Sequence, residues 1–211
     1  MEIAILLFPR LTALDAVGPY EVLRSLPGGD VKFVAAEPGP QRTDHGALAL
    51  VADFALEAVP APAVMVVPGG PGEADAREDP RVLEWVRRAH ETSTWTTSVC
   101  TGSLILGAAG VLEGRRATSH WTALEDLRQF GAEPAGERVV VDGKVVTAAG
   151  VSSGIDMALA LAAELACEDV ARGIQLAIEY DPQPPFDSGS TATASPQLVD
   201  RLRRASRFWR D

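Results

Sequence analysis

Six short apolar runs alternating with helical patterns constrain this chain more than any other feature. The runs cover residues 2–8, 31–36, 63–67, 95–99, 139–141 and 145–148. Most are near-continuous in Val, Ile and Leu, the pattern of strands buried on both faces. Between and after them lie stretches of helical character at 19–26, 81–91, 103–109, 122–130, 154–166, 169–180 and 196–209. The clearest start is Asp79-Pro80, an N-cap followed by proline at the first helical position. Strands that alternate with helices predict an α/β fold with a mostly parallel central sheet covered on both faces. In such a sheet, sites gather beyond the C-terminal ends of the strands.

With 211 residues, 46% of them hydrophobic, the chain can bury one large core, and a single domain over 1–211 is expected. Nineteen basic against 29 acidic residues give a formal net charge of -10. That balance opposes nucleic acid and anionic membrane as partners. The first apolar run is stopped by Pro9, too early for a signal h-region or a membrane span. A cytoplasmic protein is therefore expected. The two cysteines, Cys100 and Cys167, make no disulfide framework. Cys167 lies in an apolar helical stretch and is expected to be an inert thiol in or near the core.

Cys100 differs because Thr97-Ser98-Val99-Cys100-Thr101-Gly102-Ser103 places it where a strand turns into a small-residue helix start. A sharp turn there holds the side chain out of the sheet, and the free N–H groups of the helix start favour a thiolate. The structural alternative is a small residue that packs a tight crossing. Asp15 stands in mostly apolar surroundings just before Pro19. It reads either as a helix N-cap or as a partly buried carboxyl, raised in pKa, that gives and takes a proton.

Gly69, Gly70 and Gly72 follow a hydrophobic strand, and their backbone N–H groups could approach a ligand. A tight turn explains them equally well. No Lys-Ser or Lys-Thr follows, so the loop is not a nucleotide P-loop. His45, His90 and His120 show no metal-ligand spacing and there is no C-x-x-C pair, so no metal is expected. His120 is the one histidine near a plausible site, with helix-start packing as its structural alternative. The final helical stretch carries Arg201, Arg203, Arg204, Arg207 and Arg210, which read as a solvated or dimer-flanking face.

Taken together, residues 11–21, 68–72, 99–103, 106–110, 117–121, 150–157 and 179–186 resemble the ThiJ/PfpI, or class I glutamine amidotransferase-like, superfamily, and within it the isonitrile (isocyanide) hydratase branch. The resemblance spans nearly the whole chain. It implies a flavodoxin-like α/β sandwich, a nucleophile-elbow Cys100 paired with Asp15, and usually a homodimer. Branch members carry threonine after the cysteine, as Thr101 stands here, whereas protease-like members carry histidine. The implied reaction is cofactor-independent hydration of an isocyanide substrate. Asp15, Cys100 and Thr101 would be catalytic, with Gly69, Gly70, Gly102 and His120 around the bound species. Superfamily members with the same elbow also include redox sensors, ligand-binding modules and glyoxalase-like or amidase enzymes. Its regulators add a helix-turn-helix domain, which is not expected within these 211 residues.

Overall fold

The computed structural model describes residues 1–207. In chain order the elements are β1 (Glu2–Leu6), α1 (Ala13–Leu23), β2 (Asp30–Ala35), β3 (Gly39–Arg42), β4 (Ala49–Ala52), β5 (Phe54–Ala55) and β6 (Val64–Val67). They continue with α2 (Glu73–Ala76), α3 (Pro80–Thr92), β7 (Trp95–Val99), α4 (Gly102–Ala108), β8 (Arg116–Ala117), β9 (Glu133–Pro134), β10 (Val139–Asp142) and β11 (Val145–Ala148). Helices α5 (Ser153–Leu165), α6 (Glu168–Ala177) and α7 (Pro196–Ala205) close the described chain.

A seven-stranded sheet runs in the order β10-β11-β7-β6-β1-β2-β5. Every neighbouring pair is parallel except β10 with β11. The central strands β1 and β6 have no exposed apolar residue, which explains their unbroken Ile and Val runs: helices cover both faces. Helices α1, α5 and α6 pack on one side, α3 and α4 on the other. The chain leaves β1 toward β2 on one flank and later returns through β6 on the other. The loops after β1, β6 and β7 therefore meet at a topological switch point, the crevice where such sheets bind ligands.

Local chemistry accounts for most element boundaries. Asp79 caps α3, its carboxylate accepting from Arg81 N–H at 2.9 Å, with Pro80 at the first helical position. Helix α1 starts six residues earlier than the expected 19–26, and Pro19 lies inside it. Tertiary packing overrides the proline there: α1 buries Ala16, Gly18, Pro19, Val22 and Leu23 against the sheet and α5. The expected helix at 122–130 is a 3-10 helix, Leu124–Phe130. The hairpin β3–β4 falls in a stretch whose Gly, Pro and charged residues carry no strand signal. Cys167 is exposed instead of near the core, because it is the residue before α6, where the chain leaves α5. The expected extension of the last helix through Trp209 lies outside the described residues beyond 207.

A close backbone approach joins β6 to α4. A methyl group on Gly102 would sit 2.1 Å from the Val67 carbonyl oxygen and 2.7 Å from that of Pro68. Both obstacles are backbone, so they cannot swing aside. Gly102→Ala is expected to lower stability by about 1–3 kcal/mol, read as a fall in the urea midpoint; an unchanged midpoint would mean that α4 is free to move away from the sheet.

Candidate active site

Cys100 occupies the turn between β7 and α4 with φ +58°, a left-handed backbone that non-glycine residues rarely take. The strained elbow is stitched in place from two sides. Cys100 N–H donates to the carbonyls of Ala148 and Ala149 (3.0 and 2.9 Å). The Cys100 carbonyl accepts from Ser103 Oγ and Ser119 Oγ at 3.2 and 3.1 Å. The thiol is 5% exposed and faces the backbone N–H groups of Thr101 and Val151.

Asp15 lies in the first turn of α1 and has no exposed surface. It does not cap its helix: Thr12 is the N-cap residue, and the Asp15 carboxylate reaches across to accept from Gly69 N–H at 3.0 Å. The Cys100 thiol lies beside it and acts to lower its pKa. Oδ1 has no hydrogen-bond partner among the described residues, which leaves one acceptor site unused.

The glycine loop holds these groups in register. Thr12 N–H donates to Gly69 O (2.9 Å), Gly72 N–H to Arg10 O (3.1 Å), and Gly70 N–H to Thr101 Oγ1 (3.0 Å). Gly70 adopts φ +123° and a Cβ there would stand 2.4 Å from Thr12 N; only glycine meets both demands. The N–H groups of Gly69 and Gly70 are thus committed to Asp15 and Thr101, and they position those side chains instead of facing a bound molecule. Gly102 serves the β6–α4 approach described above. The ring of His120 packs on Gly150, whose Cβ would meet it at 2.7 Å, and its Nδ1 accepts from Thr122 N–H at 3.3 Å. His120 therefore lies beside the Gly150-Val151 turn. Burial holds its pKa below the ordinary histidine value, so the ring is neutral.

The electrostatics overturn one expectation. Burial first, and then the charge of Asp15, push the Cys100 thiol well above its ordinary pKa, outweighing the Val151 and Thr101 N–H groups that act the other way. The resting sulfur is a thiol. Burial also pushes Asp15 from 3.8 up to about 7, against the lowering effect of Gly69 N–H and the Cys100 thiol, with the Asp44 charge adding to the rise. Asp44 is tied to the same place, since Thr12 Oγ1 donates to its carboxylate at 3.1 Å. A carboxyl near neutrality beside a protonated thiol can accept the sulfur's proton and hand it on.

Sequence reasoning brought Asp15, Cys100, Thr101 and the glycine loop to one place. It missed Val151, with φ +30°, which acts through backbone geometry, and Ser119, whose hydroxyl reaches the Cys100 carbonyl from 19 positions away. Among the described residues no cluster of His, Cys, Asp and Glu could hold a metal ion, and no helix is long and apolar enough to cross a membrane.

Comparison with known proteins places this chain among relatives. A model of the DJ-1/PfpI family matches residues 1–164. An isonitrile hydratase of Pseudomonas putida is 45% identical over 204 residues, covering 97% of this chain and 89% of the relative. A deglycase of Thermococcus kodakarensis is 30% identical over 70% of this chain and 89% of its own. The crystal structure of a ThiJ/PfpI family protein from Pseudomonas syringae superposes with a TM-score of 0.94 at 39% identity, over 97% of this chain and 85% of that one.

The Asp15 environment carries a signed consequence for stability. Its folded pKa of about 7 stands above its ordinary value of 3.8, so the folded state holds a proton that the unfolded state has lost. Stability falls as pH rises from about 4 to about 7 and levels off above, each unit of difference being worth about 1.4 kcal/mol. Asp15→Asn is expected to flatten that slope and to be at least as stable as the parent at pH 8. Urea denaturation at pH 5 and pH 8 decides, because a helix cap would instead lose about 1 kcal/mol at both.

Proposed function

The chain belongs to the DJ-1/PfpI family, and from that membership and the Asp15–Cys100 geometry we propose that it is an isocyanide (isonitrile) hydratase, a cofactor-independent hydro-lyase. It converts R–NC and water to an N-substituted formamide. The observation that carries this reading is a buried carboxyl, poised near neutrality, touching an elbow thiol with threonine in the next position.

Each step then falls to a group in place. The isocyanide carbon approaches Cys100 Sγ, the Asp15 carboxylate takes the thiol proton as the C–S bond forms, and the same carboxyl delivers that proton to the carbon. The product of this half is a thioimidate, R–N=CH–S–Cys100. Asp15, ionised again, removes a proton from a water molecule that attacks the thioimidate carbon. Asp15 passes that water proton to the nitrogen, the C–S bond breaks, and the remaining hydroxyl proton of the adduct returns to sulfur as R–NH–CHO leaves, the original thiol proton staying on the formyl carbon. The Thr101–N–H and Val151–N–H pair faces the sulfur and stabilises the charge that gathers there. The Thr101 hydroxyl accepts from Gly70 N–H at 3.0 Å and donates only across a long 3.4 Å to the Gly70 carbonyl, so its proton can turn toward the bound species. A redox sensor would need an accessible, low-pKa thiolate; a thiol 5% exposed and pushed up in pKa favours hydration.

The protein acts in the cytoplasm as a homodimer. Both cysteines are free, which suits a reducing compartment. Leu14, Leu48 and Val51 expose 41%, 50% and 51% of their surface at the start of α1 and on the hairpin that Asp44 N–H joins to Leu11 O, and a second copy would cover them.

Purified protein incubated with cyclohexyl isocyanide is expected to yield N-cyclohexylformamide, and Cys100→Ala to abolish it. Turnover should fall as pH drops through about 7, where Asp15 takes up a proton and can no longer accept one from the thiol; Asp15→Asn should lose at least a hundredfold in rate. Failure to hydrate any of several aliphatic and aromatic isocyanides would sink the assignment.

A further inference from the structure

Arg207 departs from the solvated or dimer-flanking face that its helical stretch suggests. It follows α7, and its guanidinium turns back onto the loop after β6, 136 positions away in the chain. Nη1 donates to the Pro71 carbonyl at 2.7 Å, and Nη2 pairs with the carboxylate of Glu73, which has no exposed surface. One planar fork thus grips the chain at two points, a geometry that arginine presents and lysine does not.

The stretch it grips is the outer end of the glycine loop. Pro71 directly follows Gly70, and Glu73 N–H donates to the Gly70 carbonyl at 3.0 Å. On the inner side Gly69 N–H donates to the Asp15 carboxylate and Gly70 N–H to Thr101 Oγ1, each at 3.0 Å. From the β1 side the loop is held by Thr12 N–H on Gly69 O and by Gly72 N–H on Arg10 O. Beyond Gly72 the chain enters α2, whose four residues are too few to fix their own position.

The Glu73 side chain must therefore anchor that end. Its two cationic partners differ in what they can do. Arg77, 3.2 Å away, is the C-cap residue of the same short helix and moves with it. Arg207 comes from outside. Burial raises the Glu73 pKa and the Asp126 charge adds to the rise, while Arg77 and Arg207 act the other way. An apolar side chain would fill this position without that cost; the acid makes it a socket for a cation. Helix α7 itself has no buried residue, and its Arg203 guanidinium rests 5.7 Å from the centroid of the Trp121 ring. A helix that buries so little adds little to the core, and what it delivers is Arg207.

We propose that Arg207 is a positioning residue for the active site: it clamps the turn from Gly70 to Glu73 and so keeps Gly69 N–H on Asp15 and Gly70 N–H on Thr101. The consequence for turnover rests on the hydratase reading, whereas the placement of Asp15 can be followed without any substrate. Gly69 N–H is the donor that holds Asp15 down against burial. The Cys100 thiol also lowers Asp15 and the Asp44 charge raises it, and Arg207 takes part in neither contact. With the clamp gone Asp15 loses part of its Gly69 contact and titrates higher, and the pH at which its carboxylate can serve the thiol moves up with it.

The test uses full-length protein carrying carbon-13 at its aspartate carboxyl carbons, the resonance absent from Asp15→Asn identifying Asp15. Its NMR titration midpoint is expected near 7 in the wild type and higher by about half a unit or more in Arg207→Ala. Hydration of cyclohexyl isocyanide by that variant should lose about tenfold in kcat, with KM changed less. Because Arg207→Ala leaves a buried charge with Arg77 alone, Arg207→Ala/Glu73→Gln serves as the second variant, removing the charge together with its partner; it should show the same two changes. Arg207→Lys, which keeps the charge and loses the fork, should fall between wild type and Arg207→Ala. An Asp15 midpoint that stays at the wild-type value in both alanine variants overturns the clamp, as does an unchanged kcat in an active hydratase; a lower urea midpoint alone is what a purely structural brace gives and counts against it. A wild type that hydrates no isocyanide overturns the hydratase reading, and the carbon-13 titration still decides on the clamp.

Discussion

A carboxyl group with no exposed surface is tolerable in a fold only where its surroundings replace water. Asp15 finds that replacement in one backbone N–H, from Gly69, and in the thiol of Cys100. The three loops at the switch point are shaped by this demand. Gly69 must reach the carboxylate, so a Cβ there would run into Thr101 N at 2.5 Å. Gly70 must turn with φ +123° to bring its own N–H onto Thr101. Burial of one acid therefore ties β1, β6 and β7 together, and the same burial moves its pKa toward neutrality. The destabilisation and the chemistry have a single source.

The doubly covered parallel sheet was legible because its strands are short, apolar and separated by helical stretches, a pattern that survives imprecise boundaries. The convergence of Asp15, the glycine loop and Cys100 followed from that topology alone, since loops after neighbouring parallel strands must meet. Less local features were hidden. Pro19 signals a helix start by its own chemistry, yet α1 runs through it because packing against α5 outweighs one missing hydrogen bond. Whether a glycine N–H faces a ligand or a neighbouring side chain depends on contacts between residues 54 and 31 positions apart, which no local pattern encodes. The thiol's pKa was misjudged for a related reason: a helix start is visible in sequence, whereas the depth of burial that overrides it is not.

The distinction between thiolate and thiol decides what kind of reaction the pair suits. A Cys–His pair separates charge in advance and keeps a protonated base ready for a departing amine. Asp15 and Cys100 do the reverse: low solvent access disfavours two charges so close together, and the proton stays on sulfur until an acceptor arrives. An isocyanide carbon is such an acceptor, because it takes on a proton as the C–S bond forms and no free thiolate need accumulate. On the proposed mechanism the proton would travel from sulfur to carboxylate to carbon within one small volume. Threonine in the next position adds a neutral hydroxyl and no second base, so the site adds water across a carbon bonded to nitrogen without equipment for expelling an amine. A site built on one shared proton is thereby matched to an addition, and the same economy explains why the carboxyl had to be buried against the sulfur in the first place.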